Sequence, residues 1–119
     1  MWLVRGNEEE STMPALIDLD TQTTFVTDPV SPCANADFTV SWREKNVGDE
    51  ASTAYEDIFD MNDQGTGASQ KLPCEALQPG DAAMRSLTFN LQAGNYDMNL
   101  VINGRGPVFL GNVRIGECV

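Results

Sequence analysis

Apolar and polar residues alternate in twos along most of this chain, and no stretch repeats its apolar residues at the helical spacing of three to four. The clearest case lies over residues 37–46. There Phe38, Val40 and Trp42 fall on one parity, and Thr39, Ser41 and Arg43 on the other. Over residues 52–61, Tyr55, Phe59 and Met61 share a face with Asp57, while Ala54 and Ile58 share the opposite face with Glu56. Leu87, Phe89 and Leu91 mark a strand over residues 82–91, and Tyr96, Met98, Leu100 and Ile102 mark another over 96–102. Weaker alternation predicts strands over 15–27, broken near Thr21-Gln22, over 69–74 and over 108–117. Phe38, Val40, Trp42, Leu87, Phe89, Met98 and Leu100 are the expected core.

Turn-forming residues separate these segments. Asn46-Val47-Gly48-Asp49, Gln78-Pro79-Gly80-Asp81, Ala93-Gly94-Asn95 and Asn103-Gly104 each read as a reversal. Seven short strands at a spacing of roughly ten residues predict an all-β, immunoglobulin-like sandwich of antiparallel strands. The 119 residues suit one domain, expected over residues 14–119, behind a flexible polar leader over 1–13.

Charge and composition narrow the function. There are 18 acidic and 7 basic residues, a formal charge of -11, so the surface repels phosphate backbones and no nucleic-acid partner is expected. Apolar runs are only a few residues long, and no membrane insertion is expected. The opening residues, with a short apolar stretch followed by Glu8-Glu9-Glu10, do not form a signal peptide. The chain has no histidine, which removes the commonest general base and any Ser-His-Asp or Cys-His pair. No C-x-x-C pair is present to hold zinc.

Three turn motifs occur in order. Phe38-Thr39-Val40-Ser41-Trp42-Arg43-Glu44-Lys45-Asn46-Val47-Gly48 resembles the second strand and N-x-G turn of CARDB-type domains. Leu77-Gln78-Pro79-Gly80-Asp81 resembles the L-x-P-G-[ED] turn of the same domains, and Ala93-Gly94-Asn95-Tyr96 their A-G-x-Y motif. These are immunoglobulin-like modules of bacterial and archaeal surface and secreted proteins. The likeness covers about residues 14–117, and the chain departs from it in its cysteines and in Gly104-Arg105-Gly106-Pro107. The resemblance implies a spacer, adhesion or accessory binding role and transfers no catalytic residue. Gly48 and Gly80 are expected to supply positive φ, and Tyr96 to form a tyrosine corner.

Candidate sites are few. If the strands alternate up and down, Cys33 and Cys118 meet at one end of the sandwich and Cys74 sits at the other. Cys33–Cys118 is therefore the favoured disulfide, with Cys74 free or an alternative partner for Cys33. Three reduced thiols are the cytosolic alternative. Asp60-Met61-Asn62-Asp63-Gln64-Gly65 resembles the start of a calcium loop, which makes Asp60, Asn62 and Asp63 the metal candidates. Its fifth position is Gln64 and its twelfth is Lys71 rather than Glu, so a solvated turn with no metal is expected. Glu56, Asp57 and Asp60 are the carboxylates to test as a glycosidase pair. Asn103-Gly104-Arg105-Gly106-Pro107 lacks the P-loop pattern and reads as a flexible turn. Most aromatic residues sit at core-like positions, and Tyr55 and Trp2 are the candidates for an exposed sugar-binding platform.

The expectation is a non-catalytic extracellular structural, adhesion or protein-interaction module, without cofactor, in a larger chain or assembly. Its expected partner is a protein or cell surface. The alternative is an accessory module binding carbohydrate or calcium.

Overall fold

A computed structural model describes residues 13–20 and 25–118, so the leader over residues 1–12, with Trp2, lies outside the described residues. The body is all-β: β1 (Ile17–Leu19), β2 (Val26–Asp28), β3 (Phe38–Asn46), β4 (Tyr55–Asp63), β5 (Thr66–Cys74), β6 (Ala82–Phe89), β7 (Gly94–Ile102) and β8 (Arg105–Ile115). Two four-stranded sheets face each other. In one, β1 and β2 both pair antiparallel with one edge of β3, and β6 pairs with the other. In the second, the order is β5-β4-β7-β8, again antiparallel. This is the immunoglobulin-like sandwich expected from the alternation. β1 and β2 are the two halves of the one strand predicted over 15–27, and they pair with β3 in different registers on either side of the break.

The core lies between the sheets. Phe59 on β4 stands at its centre, with ring centroids 5.2 Å from Trp42, 5.6 Å from Phe89 and 6.0 Å from Phe25. Phe38, Val40, Trp42, Phe89, Met98 and Leu100 are buried as expected. Leu87 is only half-buried, because β6 is an edge strand and its side chain sits at the margin of the core. Tyr96 buries its ring and donates its hydroxyl to the Gln92 carbonyl at 2.9 Å, the tyrosine corner.

The turn motifs have physical reasons. Asn46 is fully buried and uses its whole side-chain capacity: Oδ1 accepts from the Leu16 and Gly48 amides, and Nδ2 donates to the Glu50 and Leu77 carbonyls. Its backbone also bonds Gly80 and Asp81, so the N-x-G and L-x-P-G-D segments form one knot at one end of the sandwich. Gly80 supplies the positive φ (82°) of a Pro79-Gly80 turn closed by the Asp81 amide on the Gln78 carbonyl. Gly48 does not have the positive φ expected of it. It is required because a Cβ there would stand 2.0 Å from the Pro14 carbonyl oxygen.

Several boundaries differ from the sequence reading. β4 continues through Asp63, and the hairpin to β5 is the two-residue turn Gln64-Gly65, both at positive φ. A second turn of this kind, Asn103-Gly104, lets β8 begin at Arg105 rather than Val108. Met13, counted in the leader, exchanges two hydrogen bonds with Asp49.

Candidate functional site

The period of two carries polar residues into the core. Glu44 shares the parity of Trp42 on β3, and Arg85 shares that of Leu87 and Phe89 on β6. Tyr55 and Asp57 occupy the inward face of β4, and Cys74 ends β5 opposite Tyr55. All five side chains are buried, and they meet between the sheets, toward the end away from the Cys33–Cys118 disulfide.

Glu44 is the centre of this cluster. Its Oε2 accepts the Trp42 indole N–H at 2.6 Å, and its Oε1 accepts the Tyr55 hydroxyl at 2.7 Å. Arg85 supplies the compensating charge, with Nε 3.6 Å from the Glu44 carboxylate. Its Nη2 donates to the Tyr55 hydroxyl oxygen at 2.9 Å, and its Nη1 reaches the exposed Glu75 carboxylate at 3.1 Å. The guanidinium also lies 5.6 Å from the centroid of the Tyr55 ring. Glu44 and Arg85 therefore form a buried pair in which both Glu44 oxygens and both terminal Arg85 nitrogens have hydrogen-bond partners, while Arg85 Nε faces the carboxylate without a hydrogen bond.

Asp57 is different. It is fully buried and neither carboxyl oxygen meets a hydrogen-bond donor. Oxygens of Asp57 and Glu44 and the Cys74 sulfur lie within 4.8 Å of one another. The Cys74 thiol donates to the Leu72 carbonyl at 3.4 Å while lying beside Asp57. Burial, and then the neighbouring Glu44 carboxylate, push the Asp57 pKa up to about 8. Burial, reinforced by the Asp57 charge, pushes the Cys74 thiol up to about 12, which keeps it a thiol rather than a nucleophile. Tyr55 is raised, mainly by burial, and stays a phenol. Burial opposes the Arg85 charge, but its hydrogen bond to Tyr55 and the surrounding groups raise its pKa and hold it ionised.

Among the described residues, Glu44, Asp57 and Cys74 are the only convergence of potential metal ligands. Both Glu44 oxygens already have donors, and a cation there would face the Arg85 guanidinium.

The predicted sites fall as follows. Cys33 and Cys118 form a disulfide, Cα–Cα 5.4 Å, joining the segment before β3 to the segment after β8. It therefore ties one sheet to the other, as the strand alternation predicted. Cys74 is free and buried. Asp60, Asn62 and Asp63 lie on β4 rather than in a loop, and each has its own local partner. Asp60 accepts from Ser69 Oγ, Asn62 from the Gly65 amide and Asp63 from the Asn95 amide. Glu56 and Asp60 lie on the face of β4 opposite Asp57, so the three carboxylates do not form a catalytic pair. Tyr55, expected to be exposed, is buried because its ring lies on the core parity of β4. The exposed aromatic among the described residues is Phe109 on β8, at 62%. The segment 105–107, read as a flexible turn, belongs to β8, where the Arg105 guanidinium donates to the Ile17 carbonyl.

The surface has open depressions. One is lined by Gly94, Asn95, Arg114 and Glu117, and another lies between β2 and β8 over Thr27, Asn112 and Arg114. The four sheet edges differ. β1 and β2 pair with β3 in different registers, β5 carries Lys71 and Pro73, and β8 carries Pro107 and two irregularities in its register with β7. These are features that discourage edge-to-edge pairing. β6 has none of them. It pairs with β3 in an unbroken register of eight residues, and its outward side chains Met84, Ser86 and Thr88 are exposed and uncharged.

No protein-family model matches this chain, and no curated protein matches it in sequence. Solved structures do match its fold. A β-glucosidase from Erythrobacter marinus is similar at a TM-score of 0.63 and 11% identity, over 85% of this chain and 15% of that one. A β-glucosidase from Listeria innocua in complex with glucose matches at 0.60 and 12%, over 90% and 16%. The Pseudomonas fluorescens alkylpurine DNA glycosylase AlkC, bound to DNA containing an abasic site analogue, matches at 0.59 and 12%, over 87% and 30%. The chain thus spans less than a third of the length of any of these proteins, and the likeness is one of fold.

Proposed function

We propose that this chain is a non-catalytic extracellular module of structural, adhesion or protein-interaction type, similar to CARDB-type domains, that meets its neighbour by strand addition at β6. The observation that carries this reading is the regular β6 edge, uncharged and free of proline, set against described edges that change register or carry proline. The Thr88 carbonyl points away from β3 and accepts from Gln70 Nε2 at 2.7 Å. By the alternation of an antiparallel strand, the backbone groups of Met84 and Ser86 point the same way. An extended segment laid along Met84 and Ser86 gains main-chain hydrogen bonds beside uncharged outward side chains of β6. The Cys33–Cys118 disulfide fits an oxidising compartment, and secretion or surface display is part of the proposal. The one polar cluster with unusual chemistry is sealed in the core, where no substrate reaches it.

The test is the self-association of the purified domain. Ser86→Pro removes an outward N–H at a position where an edge strand tolerates proline. By sedimentation equilibrium the wild type is expected to form dimers as its concentration rises, and the variant to remain monomeric with its fold retained. A wild type that stays monomeric throughout, or a variant that associates equally well, contradicts strand addition at β6.

A further inference from the structure

Two carboxyl groups from opposite sheets stand side by side in the core with only one of them neutralised. Glu44 comes from β3 and has Arg85, Trp42 and Tyr55 as partners. Asp57 comes from β4, is equally buried, and has no donor on either oxygen. The groups around Asp57 can be named element by element. β3 presents Glu44, β4 itself Tyr55, β5 the Cys74 thiol and β6 the Arg85 guanidinium, while its register partner on β7 is the apolar Ile102. Arg85 is the single cation, and its donors go to Tyr55 and Glu75, with Glu44 beside it. Two ionised carboxylates at this separation repel strongly in a low-dielectric interior, and burial together with Glu44 outweighs the relief that the Cys74 thiol and Arg85 give a second negative charge.

We infer that the Glu44–Asp57 pair is a proton-dependent clasp between the two sheets, closed while Asp57 carries a proton and loosened when that proton leaves. The protonated Asp57 carboxyl has a hydroxyl to offer the Glu44 carboxylate across the sandwich, and the pair then carries one negative charge, matched by Arg85. After deprotonation the two sheets hold like charges against each other at their junction. The geometry of opposite-sheet carboxyls carries the inference, and the elevated pKa of Asp57 agrees with it.

The sign follows from proton linkage. An unfolded aspartate loses its proton near pH 4, whereas the folded Asp57 keeps its proton up to about pH 8. Between these values the folded state binds the extra proton, so stability falls as pH rises through this window and levels off above it. The experiment is urea unfolding from pH 4 to 9 of the wild type and of Asp57→Asn, which keeps a neutral donor beside Glu44, with a chelator present throughout. Relative to the variant, the wild-type folding equilibrium constant is expected to fall about tenfold per pH unit between roughly pH 4 and pH 8. Parallel pH profiles would overturn the inference, as would a wild type destabilised by the chelator, since a metal ion would then be the neutralising group. Should the variant fail to fold, the carboxyl carbon of Asp57 in the wild type is followed by NMR. A titration near pH 8 supports the clasp, and an Asp57 already ionised at pH 6 overturns it.

Discussion

At the scale of single residues, buried polar side chains do more to define this molecule than exposed ones. Asn46 shows why. It sits on the core parity of β3, makes four side-chain hydrogen bonds, and gathers the residues before β1, the turn after β3 and the segment before β6 into one knot. Replacing it with alanine strands buried amides and carbonyls. Asn46→Ala is expected to destabilise the fold by about 3 kcal/mol, read as a lower urea midpoint with an unchanged slope. The parity of Phe38, Val40 and Trp42 already extends to Glu44 and Asn46, and that of Leu87 and Phe89 extends back to Arg85. The signal for the buried cluster was therefore present in the alternation. It is hard to read from sequence because a charged residue on a core parity is stable only with a partner, and the partners here come from other strands. Tyr55 illustrates the reverse error. As an aromatic near acidic residues it resembles a sugar-binding surface, yet its parity with Phe59 and Met61 places it inside.

At the scale of elements, period two located every strand, and turn chemistry located most of their ends. Two of the exceptions share a cause. Gln64-Gly65 and Asn103-Gly104 are two-residue turns, so β4 and β8 run further than longer loops would allow. The end of the sandwich at which each strand starts was also legible, and this is what paired Cys33 with Cys118. That bridge closes a separation of 85 residues and joins the sheets at the end opposite the ionic cluster. In the double variant Cys33→Ser/Cys118→Ser, the chain-entropy argument predicts a loss of about 4 kcal/mol, measured by urea unfolding under non-reducing conditions. A loss below about 1 kcal/mol would mean that the hydrogen bonds of Gly116 with Pro32 and Ala34 hold this end without it.

At the scale of the whole molecule, the sandwich is fastened between its sheets by two different devices, a covalent one at the Cys33–Cys118 end and an ionic one around Glu44. Its fold recurs within much larger proteins of unlike activity, so the fold identifies no partner. The sheet edges are the more specific feature, and they were not legible from sequence, because which strand lies at an edge is a property of topology rather than of local pattern. The central claim is that β6 is the contact surface, and amide hydrogen exchange tests it most directly. The account predicts that the Met84 and Ser86 amides, open to water in the dilute monomer, become protected as protein concentration rises, while amides at the β5 edge do not change. Exchange at Met84 and Ser86 that is fast and the same at every concentration would contradict it.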